Sequence, residues 1–154
     1  MKRILTILVV IAISTSTLFA QETLREVVKD YQNRNSEYTI VIPSFLIKMG
    51  IAFGDVDQEE RELLNQIDNM KIVICDNNIM TSDLSLLEDG IKTGKFTELM
   101  TVIERDEKVR MILNKKSKRK SELLMLVESD DEQVLMLFDM HGEPDYKKFA
   151  KLVD

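Results

Sequence analysis

Residues 99–142 constrain the fold more than any other part of this chain. They read LMTVIERDEKVRMILNKKSKRKSELLMLVESDDEQVLMLFDMHG. Apolar stretches alternate with short polar ones. Over 108–114, Val109, Met111 and Leu113 alternate with Arg110, Ile112 and Asn114. Over 122–128, Leu123, Met125 and Val127 share one parity, Leu124 and Leu126 the other. Over 133–140, Val134, Met136, Phe138 and Met140 oppose Leu135, Leu137 and Asp139. Successive strand side chains point to opposite faces, so a period of two predicts strands. The connectors are too short for crossovers, which predicts an antiparallel meander. A further strand is expected from about Met100, after a helical turn at 95–99.

Upstream, the period changes. Leu24, Val27, Val28 and Tyr31 recur at helical spacing and predict a helix over 22–33. Residues 38–42 are aromatic or β-branched and predict a strand that Pro43 ends. Phe45, Leu46, Met49, Ala52 and Phe53 continue at helical spacing to Gly54. Asp57 with Glu60 reads as a capping box, before a short acidic helix with Leu63, Leu64 and Ile67 inward. Residues 71–75 predict another strand. Leu84, Leu87 and Ile91 predict a helix capped at Thr81 or Ser82 and closed by Gly94. Pro144 opens a C-terminal helix with Tyr146, Phe149, Leu152 and Val153 on one face. The expected fold is α+β: an antiparallel β-meander of about four strands plus one or two N-terminal strands, packed by four to five helices.

Both faces of the meander are apolar, whereas a half-solvated sheet alternates more cleanly. The face carrying Ile112, Leu124, Leu126, Leu135 and Leu137 therefore needs cover. Helices from the N-terminal half could supply it. So could a partner, in which case these residues form an apolar interface for a homodimer, a peptide or a lipid chain.

In a meander, alternate turns share an end of the sheet. Residues 104–107 and 128–132 would place seven acids and Arg105 at one end. Residues 115–120 would place Lys115, Lys116, Lys118, Arg119 and Lys120 at the other. Strands of this length separate the clusters by roughly 25 Å, beyond a Debye length of ~8 Å. Charged turns keep hairpin tips soluble. The basic tip is also a candidate contact for an anionic surface such as lipid headgroups. It has no interleaved aromatics for stacking bases. The acidic turns lack the spacing of an EF-hand loop.

The first residues read as an export signal. Lys2 and Arg3 precede an apolar run over 4–13, and small residues lead to Ala20. The run is short for a bilayer span of ~20 residues. Cleavage after Ala20 would leave 134 of the 154 residues, and losing Lys2 and Arg3 takes the net charge from −6 to −8. That balance argues against nucleic acid as a partner, which usually needs a basic face. A chain of this size builds a core without staples. The one cysteine, Cys75, cannot form an internal disulfide and lies in an apolar run. Two prolines and five glycines mark no internal boundary, so residues 21–154 are expected to form one domain.

Catalytic motifs are essentially absent. His141, the only histidine, is expected at the surface. No catalytic residue, metal ligand or cofactor-binding residue is assigned, and no cofactor is expected.

The segments Phe96-Thr97-Glu98-Leu99-Met100, Val109-Arg110-Met111-Ile112 and Glu122-Leu123-Leu124-Met125-Leu126-Val127, ending at Gly142, carry a resemblance. With them the chain resembles a family of small exported bacterial proteins classed as a domain of unknown function, DUF4252. The resemblance covers most of residues 21–154 and rests on apolar patterns. It implies an exported, envelope-associated protein and supplies no activity, cofactor or catalytic residue. The reading is a periplasmic or secreted module that binds an envelope component or protein, touching the membrane peripherally at most. The alternative is an envelope enzyme of hydrolase type.

Overall fold

The computed structural model describes residues 23–35, 38–76, 84–142 and 145. The leader, the cap at Thr81 or Ser82 and the helix after Pro144 lie outside the described residues. The elements are α1 (Leu24–Asn35), β1 (Tyr38–Pro43), α2 (Ser44–Phe53), α3 (Gln58–Leu64), β2 (Ile67–Asp76), α4 (Ser85–Lys92), β3 (Thr97–Glu104), β4 (Glu107–Lys115), β5 (Lys120–Glu128) and β6 (Glu132–His141). The strands form one six-stranded sheet in the order β1-β2-β6-β5-β4-β3. Every neighbouring pair is antiparallel. The α+β class and the meander, β3 to β6, are therefore as expected. The strands total six because β2 docks beside β6 and β1 beside β2, extending the sheet.

Local chemistry explains the boundaries. Pro43 ends β1, and α2 starts at the next residue. Asp57 Oδ1 accepts from Glu60 N–H at 2.9 Å, and Glu60 Oε2 accepts from Asp57 N–H at 3.2 Å. This reciprocal pair satisfies two orphan donors at the start of α3.

Two boundaries differ from expectation. There is no helical turn at 95–99. Gly94, at φ +75°, closes the turn after α4, and Phe96 N–H donates back to Gly90 O at 3.0 Å. The Phe96 ring is buried against the bare face of Gly90, so its apolar character reflects this notch rather than a helical stripe. A β-carbon on Gly90 would lie 2.2 Å from the ring. β2 begins at Ile67 rather than Lys71. Ile67 faces Met140 of β6, with a register irregularity before Asn69, so it belongs to the sheet and not to α3.

The sheet has two unequal covers. On one face Ile112, Leu124, Leu126, Leu135 and Leu137, with Val73 and Cys75, pack under α1 (Leu24, Val27, Val28, Tyr31), α4 (Leu84, Leu87) and Phe96. All of these are buried. This corrects the reading of those five positions as an apolar interface. A buried Leu or Ile contributes about 1.5–3 kcal/mol, so uncovering all five would cost on the order of 10 kcal/mol. That matches the stability of a whole domain, so these five side chains serve the core.

The opposite face has the thinner cover. Met111, Leu123, Met125, Phe138 and Met140 are buried with Leu63 of α3 and Ile67. Ile47 of α2 packs against this cluster, while Met100, Val109, Val127 and Met136 are only partly buried.

Candidate functional site

The acidic turns lie at one end of the sheet and the 116–119 turn at the other, as the meander requires. The basic turn is shaped by its serine. Ser117 Oγ accepts from Arg119 N–H at 3.3 Å and Lys120 N–H at 3.1 Å. The five cations do not behave alike. Lys115, Lys118, Arg119 and Lys120 are exposed. Among the described residues none of these four has an ion-pair partner. Lys116 is exposed too but is paired, with its Nζ 2.5 Å from the buried Glu122 Oε1.

Glu122 is the organising group at this end. It shares parity with Leu124 and Leu126, so it points under α1, and its side chain is fully buried. Oε2 accepts from the Leu24 backbone N–H at 3.0 Å and from Asn114 Nδ2 at 3.1 Å. Oε1 has no well-angled hydrogen bond. Its compensation is electrostatic, from Lys116 and from Arg25 Nε at 4.0 Å. A carboxylate placed on the free N–H groups that open a helix satisfies a donor and complements the helix dipole.

Beside it lies a pocket of about 220 Å³, lined by Arg25, Asn69, Lys120 and Asp139 among others. Arg25 pairs with Asp139. His141 is exposed, as expected, yet hydrogen-bonded through Nδ1 to Asp68 Oδ1 at 2.8 Å. The pocket's acids are thus engaged by neighbouring cations or by His141, which ties the sheet end to α1 and to the start of β2.

Two further polar clusters are structural. Arg110 shares the covered face with Ile112 and is buried. Its Nε donates to Glu98 Oε1 at 3.0 Å, and its other nitrogens reach Glu98 Oε2 and Glu88 of α4. The Arg110 guanidinium, followed by the Thr101 hydroxyl, holds the Glu98 carboxyl below the usual carboxylate range. Across the sheet, Tyr31 OH donates to Gln133 Oε1, and Gln133 Nε2 to Glu128 at 2.6 Å. Burial is the main cause that pushes the Tyr31 phenol well above its ordinary range, with buried Cys75 adding to it.

The most distinctive surface was not legible in the sequence. β1 and α2 expose Tyr38, Ile40, Val41, Phe45, Leu46, Met49 and Phe53, the last at 86 %. On α2, Phe45, Met49 and Phe53 recur every fourth residue and form a stripe away from the sheet, while Ile47 and Ile51 face inward. Val41 has the parity of the α1 face of the sheet, so it lies apart from the others. At roughly 200 Å² per large side chain, the exposures of the remaining six leave on the order of 700 Å² of apolar surface open. Monomers rarely expose apolar patches beyond about 300–600 Å², and such patches mark interaction sites. Lys48 is the only charge between Tyr38 and Gly54.

Among the described residues no group of three or more His, Cys, Asp or Glu is placed to hold a metal ion. Nor is any helix among them long and apolar enough to cross a membrane.

The fold and surface thus define an α+β sheet protein with one face sealed by helices and an apolar outer strand and helix. The family model described as domain of unknown function (DUF4252) matches residues 31–152, and the chain belongs to that family. No curated protein matches it.

Proposed function

We propose that the protein is an exported module of the bacterial envelope that works by binding, and that its contact surface is the apolar patch on β1 and α2. The size of that exposed surface, on two successive elements, carries the reading. The patch is aromatic- and methionine-rich and nearly free of charge, the composition enriched at interface cores. The leader-like residues 1–20 support export, with cleavage after Ala20. Two measurements test the proposal. N-terminal sequencing of protein from an envelope fraction should begin at Gln21. A solvatochromic apolar dye should bind the folded protein and lose that binding in Phe45→Ser/Phe53→Ser. Intact cytosolic protein, or dye binding unchanged in the variant, would overturn it.

The four exposed cations of the basic tip, without an ion-pair partner among the described residues, favour a second contact, with an anionic surface. Adjacent exposed cations contribute about 1 kcal/mol each near an anionic bilayer, and salt screens this. Co-sedimentation with anionic vesicles at low salt, absent with neutral vesicles and lost in Lys118→Ala/Arg119→Ala/Lys120→Ala, is the expected result.

A further inference from the structure

We infer that the occupant of the β1–α2 patch is a second copy of this chain, docked about a two-fold axis so that each α2 stripe packs on the partner's β1–α2 surface. This rests on the reading of the patch as a contact surface and names its partner.

Area, charge and position carry the inference. The open apolar area, on the order of 700 Å² without Val41, is close to the roughly 800 Å² that each partner gives to a stable interface of standard size. An isologous contact needs only one such patch per chain.

Charge permits a second copy and disfavours an anionic bilayer. The chain is 31 % charged and carries a net −6. Two copies therefore repel in general, yet they can meet where the 38–54 segment offers only Lys48. An anionic bilayer is disfavoured at this position. Asp55, Asp57 and Glu59 follow the stripe directly, and the chain's exposed basic turn lies on a hairpin three strands away.

Position completes the argument. β1 is the terminal strand of the sheet and α2 follows it directly, so the patch lies at a boundary that a second molecule can approach. The covered face offers no such approach, because α1 and α4 seal it.

The test is light-scattering mass over a dilution series, using protein as its producing cell processes it, at low and high salt. The wild-type protein should show twice the chain mass and keep it at high salt, because the contact is apolar. Phe45→Asp/Phe53→Asp should raise the dimer dissociation constant by roughly 100-fold or more, the scale of a lost hot spot. Both side chains are exposed, so the variant should keep its circular dichroism spectrum and melting temperature. Ile40→Lys, on the strand rather than the helix, should weaken the dimer independently. A single-chain mass at every concentration overturns the inference, as does a dimer insensitive to all three substitutions. Dye binding, read at dilutions where the protein is a single chain and the patch is open, separates the two readings. A monomer whose dye binding is lost in Phe45→Ser/Phe53→Ser retains a contact surface for another occupant, whereas a monomer with no such binding refutes both.

Discussion

Glu122 of β5 accepts a hydrogen bond from the backbone N–H of Leu24 at 3.0 Å, joining groups 98 residues apart. The carboxylate pins the start of α1 to the basic end of the sheet. Glu122→Gln keeps the shape and an acceptor but removes the charge that faces Lys116 and Arg25. Hydrogen bonds to a charged group contribute about 1.5–3 kcal/mol. A loss of about that size is expected in urea denaturation, and a larger one for Glu122→Ala. A stability change within experimental scatter for both would show that α1 does not depend on this cap.

The basic turn should divide under mutation. Lys118→Ala, Arg119→Ala and Lys120→Ala remove exposed cations and should each change stability by no more than about 0.5 kcal/mol. Lys116→Ala, two residues before that group, leaves Glu122 Oε1 without its closest countercharge and should cost about 1–3 kcal/mol. Thermal melts of the four variants side by side check this.

Glu98 gives the stability a pH dependence. Its carboxyl is held below its ordinary range in the folded state, chiefly by Arg110. The unfolded chain therefore binds protons first, and the contribution is present above the ordinary carboxylate pKa and lost as pH falls through the lowered folded value. Arg110→Met should cost about 1–3 kcal/mol at neutral pH. It should also flatten the acid limb of the stability curve below about pH 4.5. An acid limb unchanged in the variant would remove Glu98 as its source.

Tyr31 acts with the opposite sign. Its phenol is raised in the folded state, mainly by burial, so its contribution is complete below the ordinary tyrosine pKa of about 10 and fades as pH rises above it. Ultraviolet titration of the folded protein should show a tyrosine that ionises only well above the ordinary tyrosine range. Tyr31→Phe should remove that delayed ionisation step.

Gly90 is a packing position. An alanine β-carbon there would meet the buried Phe96 ring at 2.2 Å. Overpacking of this kind costs about 1–3 kcal/mol, enough to outweigh the helix preference for alanine of up to about 1 kcal/mol. Gly90→Ala should lower the melting temperature, and Gly90→Ala/Phe96→Leu should recover part of it. A Gly90→Ala protein as stable as wild type would mean that the notch can open.

The meander was legible because alternation is local: each of β4, β5 and β6 states its own two faces. Which face the helices cover was not, because α1 and α4 reach it from distant parts of the chain. The two buried ionic groups left a readable trace. Glu122 shares parity with Leu124 and Leu126, and Arg110 with Ile112, so each sits in register with a core row. The outward stripe of α2 left none. Its sequence, SFLIKMGIAF, is apolar on nearly all sides, so periodicity cannot say which side meets the sheet.

The sheet's two outer strands also differ in what they permit. β3 has a register irregularity between Glu98 and Met100 and carries carboxylates at Glu98 and Glu104, features that discourage further strands from adding. β1 carries no charge. A contact that uses β1 on both molecules consumes the same surface twice and leaves only the guarded β3 strand outward. Association of this kind closes at two molecules and cannot propagate into a filament.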